Sequence, residues 1–313
     1  MNKDLKIALI SGGPSAEAEV SRVSARGVME ALRENYSSVT NFELEPGLAE
    51  KLLETSPDVV FPVMHGPPGE DGTLQGFLEI MGFAYVGSDV HGSAAAMDKI
   101  LAKGVFSQHG LPLARQVVVS RSQGLADAVD RVSARLGHYV VVKPSMQGSA
   151  LGVTLVSNDN QLHEALDRAF ALDDHVLVEE RIDGREITVG VIDTDEGTKA
   201  FQVIEVKTPE GSWYDYEHRY TKGLSEHIMP ADLSPAQTVR LQEIAVAAHA
   251  GLGCRDLSRA DFVVPDAGRE YLLEVNTLPG MTPTSLYPDG ARGFGLSFPE
   301  LVSYLVERAA LRR

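Results

Sequence analysis

The sequence predicts an α/β protein, and the opening of the chain is the clearest reason. A short apolar run at residues 6–10 meets a Ser-Gly-Gly-Pro turn, and a helical period follows over residues 16–34. Strand, glycine turn and helix in this order open a parallel α/β sheet. Strand and helix patterns then continue to alternate, with no internal repeat or low-complexity tract between them.

Composition sets the size and class of the protein. The 313 residues suggest roughly two domains of ordinary size or three small ones. Hydrophobic residues make up 43% of the chain and charged residues 23%, as in ordinary globular proteins. The net charge of −16 would repel a nucleic-acid backbone, so we expect no nucleic-acid partner. A few local cations and backbone amides could still hold an anionic small substrate.

Cysteine content and the lengths of the apolar runs indicate a cytoplasmic protein. Cys254 is the only cysteine, so neither an intrachain disulfide nor a thiolate metal cluster can form. The apolar run near the N-terminus is too short for a secretion signal, and no run approaches the roughly 18 residues of a membrane span. We expect no membrane contact.

The remaining elements follow from local periodicity. Further strands of the first unit are predicted at residues 39–42, 58–64 and 85–87, and its helices at residues 48–54 and 73–81. A second set is predicted with helices at 98–109, 125–136 and 161–170, and strands at 116–119, 139–143, 153–156 and 176–180. The pattern restarts after Asp183-Gly184, with strands predicted at 186–193 and 199–206.

The last third of the chain holds one irregular segment and two well-marked helices. Residues 208–229 are polar and rich in aromatic residues, without a clean period, and long connections of this kind are more often functional than idle. Capping boxes at Ser234 and Ser297 predict a helix to about residue 252 and a terminal helix.

An antiparallel hairpin is predicted from residues 258–264 and 271–276. Both runs are rich in Val, Leu, Phe and Tyr, and Pro265, Asp266 and Gly268 lie between them. We set the register by pairing Pro265 with Glu270.

That register brings charged side chains together. Asp261 would lie opposite Glu274, and Arg259 opposite Asn276. Like charges directly opposed on a sheet are unfavourable unless something neutralises them, and Mg²⁺ takes oxygen ligands of this kind. A solvated sheet face with mixed charges is the alternative interpretation.

Two lysines are candidates for phosphate contacts. Lys143 ends a predicted strand and leads into a loop of small hydroxyl and glycine residues, whose amides could close over phosphate oxygens. The loop is not a Walker A motif, and a glycine-bearing hairpin turn is the alternative. Lys99 could place a second cation nearby, although for this residue taken alone a solvated helix face is the favoured interpretation.

Other candidates lie where α/β proteins bind ligands. Glu179 and its neighbours end a strand at an inter-domain crossover, a common place for a nucleotide, with a plain linker as the alternative. Glu17 precedes a helix, where a carboxylate is usually only a favourable partner of the helix dipole. His65 follows a strand at the edge where ligands bind, or else belongs to a structural turn.

Six motifs occur in one order along nearly the whole chain: HGPPGEDGTLQGFLE, SAAAMDK, KPSMQGSALGV, YDYEHRYT, RADF and LLEVNTLPGMTPTSL. In these motifs the chain resembles the D-alanine–D-alanine ligases of the ATP-grasp superfamily. The resemblance implies an N-terminal α/β substrate domain with a Rossmann-like parallel sheet at 1–97, a central ATP-grasp domain at 98–183 and a C-terminal catalytic domain at 184–313. ATP would be held between the last two.

The resemblance also implies the reaction. ATP phosphorylates the carboxylate of one D-alanine, and the amine of a second attacks the acyl phosphate, which supplies a peptidoglycan precursor. The developing charge must be met by fixed donors and by Mg²⁺ or Mn²⁺, with two ions expected. A homodimer formed through the N-terminal domain is a further family property.

Site residues are carried over by the family positions that they match, within the motifs or between them. The implied catalytic positions are Glu17, Ser149, Tyr220, Arg259 and Gly280. The implied substrate-binding positions are His65, Ser285 and Leu286. The implied nucleotide positions are Lys99, Lys143, Glu179, Ile182, Glu186 and Arg219, and the implied metal ligands are Asp261, Glu274 and Asn276.

Three positions depart from the family pattern. Glu180 stands where relatives commonly carry a lysine near the adenine, Arg219 where they carry another lysine, and Ala150 where they carry a serine. Arginine keeps the charge and can chelate two phosphate oxygens. Glu180 reverses a charge beside the nucleotide, so we expect weaker ATP binding than in typical relatives.

Two alternatives to D-alanine dipeptide formation stay open. A ligase with another acceptor, D-serine or another D-amino acid, would share these motifs, whereas a tyrosine at 220 goes with amine acceptors and disfavours D-lactate. A degenerate ATP-binding protein without turnover is suggested by Glu180 and Ala150. The intact set Arg259, Asp261, Glu274 and Asn276 argues against that second alternative.

Overall fold

The structure is a computed structural model that describes residues 2–209, 211–221, 223–266, 268–282 and 285–312, with the backbone alone at Tyr216 and Tyr220. Within these residues the strands form three sheets, and helices cover each of them. The predicted α/β class is confirmed.

The first sheet is parallel, with the strand order β2-β1-β3. Its strands are β1 (Lys6–Ser11), β2 (Ser38–Glu43) and β3 (Val59–Pro62), and its helices are α1 (Ala18–Arg33), α2 (Leu48–Thr55) and α3 (Thr73–Met81). The strand predicted at 85–87 is wrong, because Tyr85 makes only an isolated bridge to Val60. Beyond it, the Tyr85 carbonyl and the Gly87 N–H bond to the side chains of Arg312 and Asp256 instead of a neighbouring strand.

The second sheet is antiparallel, with the order β4-β7-β5-β6. It contains β4 (Gln116–Ser120), β5 (Val140–Pro144), β6 (Thr154–Val156) and β7 (His175–Glu180), covered by α6 (Leu125–Leu136) and α7 (Asp159–Leu172). Val142 and Val178 pair and are buried under these helices. Because side chains alternate along a strand, Lys143 and Glu179 lie on the opposite face. That face borders the cleft described below.

The third sheet carries the hairpin and has the order β11-β10-β8-β12-β13, with β9 also paired to β8. Its strands are β8 (Arg185–Thr194), β9 (Gly197–Ala200), β10 (Ile204–Lys207), β11 (Glu226–Ile228), β12 (Leu257–Val264) and β13 (Tyr271–Asn276). The remaining helices are α4 (Val90–Met97), α5 (Lys99–Gln108), α8 (Tyr216–Tyr220), α9 (Pro235–Gly251), α10 (Leu286–Phe294) and α11 (Phe298–Ala310). Both predicted capping boxes are confirmed, at the starts of α9 and α11.

Two predictions in this region are wrong in detail. The single strand expected at 199–206 is divided into β9 and β10, because Phe201 turns inward and packs on Tyr287 with ring centroids 5.1 Å apart. Residues 208–229, expected to lack regular structure, contain the short helix α8 and the short strand β11. Both elements are too short to show a period in the sequence.

Two helices pack outside the domains in which the sequence places them. Leu301 and Leu305 of α11 share a core with Ile7 and Leu9 of the first sheet. Phe106 of α5 packs in the core of the third sheet, although residue 98 begins the predicted central domain. The limits 1–97, 98–183 and 184–313 remain predictions. Helix α11 packs against both the first and the third sheet, and α5 packs against the third.

Candidate active site

The hairpin of β12 and β13 brings the predicted metal ligands together. Asp261 pairs with Glu274, and Arg259 pairs with Asn276, as predicted. Directly paired residues project from the same face of a sheet. The structure therefore gathers two carboxylates, an amide and a guanidinium at one place.

A β-bulge separates this patch from the hairpin turn. Phe262 pairs with Leu272, so the register shifts by one residue and Leu273 has no partner across the strand. The register that would pair Pro265 with Glu270 does not hold in the outer half of the hairpin. Local sequence does not mark the extra residue, because Leu272 and Leu273 are both apolar.

Asp261 is held by three neighbouring side chains. Arg259 donates to both of its oxygens, at 2.8 Å and 2.7 Å, Thr188 Oγ1 donates at 2.6 Å, and Asn276 Nδ2 donates at 3.2 Å. Burial raises the pKa of the Asp261 carboxyl, but the Arg259 charge and these hydrogen bonds outweigh it and bring the pKa below its ordinary value. Asp261 is therefore an anion.

Glu274 faces cations from two other elements. Its Oε2 lies 3.7 Å from Lys99 Nζ. Burial raises the pKa of Glu274, and the charges of Lys99 and Arg219 lower it further than burial raises it. Lys99 also donates to the Gln147 carbonyl at 2.5 Å, which ties the start of α5 to the loop after β5.

Glu17 is the point at which three loops meet. Ser149 Oγ donates to Glu17 Oε1. A Cβ atom placed on Gly66 would lie 2.9 Å from Glu17 Oε2, and one placed on Gly148 would lie 3.1 Å from it. The loops that follow β1, β3 and β5 therefore converge on one carboxylate, and Glu17 is 4% exposed.

The loop that carries Ser149 has an uncommon backbone. Ser149 and Ala150 have φ angles of 45° and 59°, in the left-handed region that residues other than glycine rarely adopt. Such a conformation persists only where surrounding contacts impose it, and it often occurs at functional sites. Here it accompanies the contact between Ser149 and Glu17.

His65 and Glu70 lie beside Glu17, on the turn after β3. Burial and the charge of Arg259 lower the pKa of His65 to about 4, so its ring is neutral near pH 7. Its Nε2 atom is buried and has no hydrogen-bond partner within the described part of the chain. Glu70 Oε2 accepts from the Gly66 N–H at 2.5 Å, and burial together with the Glu17 charge raises the pKa of Glu70 to about 8.

Gly280 and Ser285 are in close contact before α10. A Cβ on Gly280 would lie 2.8 Å from Ser285 Oγ, too close for a side chain. Ser285 Oγ accepts from the Thr282 N–H at 3.0 Å. The backbone at 280 can therefore approach the cavity only because the residue is glycine.

Two adjoining cavities occupy the cleft. The smaller, of about 220 Å³, reaches from Glu17 to Ser285. The larger, of about 340 Å³, lies between the second and third sheets. Their linings share Lys99, Tyr214, Arg219 and Glu274, so two cations and a carboxylate lie where the cavities meet.

The larger cavity has apolar walls and polar ends. Its apolar lining residues are Ala114, Val141, Ala150, Val153, Leu155, Ile182, Trp213, Val263 and Leu273. Lys143 Nζ lies 2.5 Å from Glu179 Oε2. Glu186 Oε1 accepts from the Tyr214 N–H at 3.1 Å, and burial raises the pKa of Glu186.

Most of the predicted site residues line one of these cavities. The smaller is lined by Glu17, His65, Ser149, Arg259, Asn276, Gly280, Ser285 and Leu286, the larger by Lys143, Glu179, Ile182 and Glu186, and both by Lys99, Arg219 and Glu274. Asp261 is in neither lining and lies behind Arg259, to which it is bonded. The Tyr220 side chain lies outside the described residues. The roles of all these residues remain predictions.

Several residues that line the cavities were not predicted from the sequence to be site residues. Glu70, Gln147 and Tyr214 lie inside or beside the motifs, but nothing local distinguishes them from their neighbours. Trp213 is the only tryptophan in the chain and belongs to the irregular segment, which was a usable signal. Lys103 lines neither cavity but contacts Glu179, which does. It follows Lys99 by one helical turn, and that spacing could have drawn attention to it.

Metal and membrane features can be stated for the described residues. In this part of the chain, no group of three or more His, Cys, Asp and Glu side chains is arranged to hold a metal ion. The described helices also include none that is both long and apolar enough to cross a bilayer.

Comparison with known proteins gives consistent results. A family model described as D-ala D-ala ligase C-terminus matches residues 105–307, and one described as D-ala D-ala ligase N-terminus matches residues 37–88. The D-alanine–D-alanine ligase of Halalkalibacterium halodurans is 43% identical over 304 residues, which cover 96% of this chain and 98% of that protein.

Solved structures agree with the sequence relatives. The D-alanine–D-alanine ligase of Bacillus anthracis, complexed with ATP, superposes with a TM-score of 0.82 at 29% identity and covers 98% of each chain. The VanG D-Ala:D-Ser ligase of Enterococcus faecalis superposes with a TM-score of 0.83 at 32% identity, covering 98% of this chain and 99% of that one. These matches confirm the ATP-grasp fold that the resemblance implied. The chain belongs to the D-alanine–D-alanine ligase family.

Proposed function

We propose that this chain uses ATP to join two D-alanine molecules into D-alanyl-D-alanine for peptidoglycan precursors. The pair of adjoining cavities that share Lys99, Arg219 and Glu274 carries the proposal. One cavity suits a nucleotide, the other suits a small zwitterion, and the charges needed for phosphoryl transfer lie between them. Family membership, with relatives 43% identical, supports the same reaction.

The larger cavity would hold ATP. Its apolar walls and Trp213 suit the adenine ring, for which Glu179 and Ile182 lie at the strand end. The Glu186 carboxylate suits the ribose hydroxyls. Phosphates would extend toward the junction, where Lys99, Lys143 and Arg219 offer three cations.

Asp261, Glu274 and Asn276 would hold Mg²⁺ or Mn²⁺, and two ions are expected. Two anionic carboxylates and an amide in register are the oxygen donors that hard cations prefer. Because three protein ligands cannot complete the coordination of two ions, phosphate oxygens and water would supply the rest. The ions neutralise charge on the transferring phosphoryl group when bound.

The smaller cavity would hold both amino acids. Glu17, bonded to Ser149 and assisted by Tyr220, would accept the ammonium group of the first D-alanine. The buried His65 Nε2 atom would bond a substrate carboxylate, because burial without a partner is costly. Ser285 and Leu286, at the start of α10, would take the carboxylate of the second D-alanine.

The proposed reaction has two steps. A carboxylate oxygen of the first D-alanine attacks the γ-phosphorus of ATP, the bond to the β-phosphate oxygen breaks, and ADP leaves. The ammonium group of the second D-alanine first gives one proton to water, and its amine nitrogen then attacks the acyl carbon. The C–O bond breaks, inorganic phosphate leaves with the electron pair of that bond, and the nitrogen gives its second proton to the departing phosphate or to water as the amide forms. Arg259 and the Gly280 N–H would stabilise the oxyanion that forms at that carbon.

A different acceptor is the main alternative. The similarity to a ligase named for D-serine, at 32% identity, makes D-serine the acceptor to compare first. Acceptor choice would be decided around Ser285, since the acceptor side chain lies at that end of the cavity.

We further propose a cytoplasmic homodimer. The supply of ATP places the reaction in the cytoplasm. Leu53 of α2 and Ile80 of α3 are 61% and 89% exposed. The same two helices contribute Leu48, Leu74 and Phe77 to the lining of a hollow of about 290 Å³. An apolar surface of this kind supports association through the first sheet's helices. Sedimentation equilibrium at twice the chain mass of 33.8 kDa is the expected result, and a monomer at micromolar concentration contradicts it.

The test is ATP-dependent dipeptide formation with a panel of D- and L-amino acids. We expect D-alanyl-D-alanine and stoichiometric phosphate release, and no product from L-alanine. Replacement of Glu274 by Gln should lower kcat by about 100-fold or more, because it deletes an anionic oxygen donor at the junction. The fold should remain, since Glu274 is a cavity residue.

A matched control separates charge loss from general damage. Glu164 is exposed on α7, far from both cavities, so Glu164→Gln should keep wild-type activity. Phosphate release that is independent of D-alanine, or full activity of Glu274→Gln, would contradict the proposal.

A further inference from the structure

Lys103 is a buried lysine that none of the roles above uses. It is 2% exposed and lies on α5, one turn beyond Lys99. Its Nζ atom lies 2.7 Å from Glu179 Oε1 and donates to the Leu272 carbonyl at 2.8 Å. The side chain therefore joins β7 of the second sheet to β13 of the third, across the back of the larger cavity.

Glu179 is shared between two cations. Lys103 contacts its Oε1 atom, and Lys143 contacts its Oε2 atom at 2.5 Å. Glu179 itself is 2% exposed, whereas Lys143 lines the larger cavity. One cation of this pair is fixed inside the protein, and the other faces the ligand.

The charges around Glu179 suggest that Lys143 can exchange this carboxylate for a nucleotide phosphate as its partner. Two ammonium groups on one carboxylate leave one positive charge in excess, and the phosphates of a nucleotide are the anions that would attract it. Lys143 can turn to a phosphate only if Glu179 keeps a counterion, because an unpaired buried carboxylate is strongly unfavourable. Lys103 is placed to be that counterion.

We propose that Lys103 is a positioning residue, which neutralises Glu179 so that Lys143 can move from this carboxylate to a nucleotide phosphate. The inference rests on the proposed use of ATP. In a chain without Lys103, the Glu179 carboxylate would hold Lys143 as its only cation. Phosphate binding would then compete with an internal ion pair.

Lys103→Met tests this with a side chain of similar length and no charge. Trp213 lines the larger cavity and is the only tryptophan, so its fluorescence reports nucleotide binding. We expect the Kd for ATP to rise about tenfold or more, and the Kd for adenosine, which has no phosphate, to change less than about twofold. Equal losses for ATP and adenosine would show a structural role and overturn the proposal.

A second variant gives an independent test. In Lys103→Met/Glu179→Gln the neutral amide no longer captures Lys143, so the affinity for ATP relative to that for adenosine should recover compared with Lys103→Met. If Lys103→Met alone does not fold, Glu179→Gln is compared with the double variant, and these should agree within about twofold in ATP affinity. A further large loss in the double variant would overturn the proposal.

A control and a separate readout complete the design. Lys51→Met removes a surface lysine of α2, paired with Glu45 and distant from the cleft, and should leave both affinities unchanged. The KM for D-alanine should stay near the wild-type value in Lys103→Met. Wild-type protein that binds ATP but forms no dipeptide would contradict the proposed function, while the binding comparison would still test Lys103.

Discussion

Single residues place positive charge in the cleft although the chain as a whole is acidic. The net charge is −16, yet Lys99, Lys143 and Arg219 line the cavities proposed for ATP. Fields from partly buried charges act over a few ångströms, whereas distant surface charges are screened by salt. The excess of acidic residues therefore does not prevent binding of an anionic nucleotide.

The effect of Glu180 on ATP binding depends on the side chain that pairs with it. The sequence suggests weaker ATP binding because a carboxylate stands beside the nucleotide site. In the structure, Arg115 donates to both Glu180 oxygens, at 2.9 Å and 3.2 Å, and lowers the pKa of that carboxyl. This partner reduces the repulsion expected from sequence, and the lower affinity remains a prediction.

Replacing Arg115 therefore tests how far it reduces the repulsion between Glu180 and ATP. Arg115→Met should raise the KM for ATP by a few-fold, since Glu180 would then face the nucleotide uncompensated across a solvent-exposed edge. The KM for D-alanine should not change. Arg121→Met is the control in steady-state kinetics, because it breaks an exposed pair between the residue after β4 and Asp174, the residue before β7. Identical ATP dependence in the two variants would argue against a role for Arg115.

Short segments of the chain fix the positions of the site residues relative to one another. The hairpin holds Asp261 opposite Glu274, and the bulge after this pair changes the register toward the turn. The segment between β13 and α10 then brings Gly280 against Ser285. Since neither feature is a regular element, each depends on single residues that fit their surroundings.

Gly280→Ala tests the element that leads into α10. The added Cβ would lie 2.8 Å from Ser285 Oγ, so the serine or the backbone must move. We expect the KM for the acceptor D-alanine to rise about tenfold with little change in the KM for ATP, in steady-state kinetics with the two substrates varied in turn.

Gly104→Ala is the matched control for that substitution. Its Cβ would meet open space on the exposed side of α5, and alanine favours a helix. Kinetics should stay as in wild type, with equal or higher thermal stability. A D-alanine KM that is unchanged in Gly280→Ala would show that the contact with Ser285 does not position the acceptor.

At the scale of the molecule, three sheets surround one cleft and ionisable groups from each enter it. Glu17 and Glu70 come from the N-terminal unit, Lys143 from the second sheet and Glu274 from the third. Helix α11 shares a core with the first and third sheets. Helix α5 packs on the third sheet and reaches the second through the contact of Lys103 with Glu179. Protonation in the cleft is therefore coupled to the stability of the whole fold.

The raised pKa of Glu70 determines whether stability rises or falls with pH. Its pKa is raised from 4.5 to about 8 by burial and by Glu17. Between these values the folded state binds a proton that the unfolded state lacks, so the free energy of unfolding falls as pH rises from about 4.5 to about 8. In thermal denaturation across this range, Glu70→Gln should lose less Tm with rising pH than wild type. Parallel curves for the two proteins would contradict the raised pKa.

Local patterns in the sequence were enough to predict the class, the order of most elements and the main register of the hairpin. Helical and strand periods are local, so α3 and α6 have the predicted bounds. The pairing of Asp261 with Glu274 could be predicted because alternation along two neighbouring strands leaves few choices. The motifs pointed to residues that line one cleft, even where each had an ordinary local explanation.

Only the tertiary structure decided how distant segments meet. The contact of Ser149 with Glu17, the two lysines on Glu179 and the pairing of Arg115 with Glu180 join residues far apart in the chain. The bulge at Phe262 and the packing of α11 on the first sheet likewise left no local signal. Each depends on packing and charge pairing between separate elements, and these energies exist only once the chain has folded.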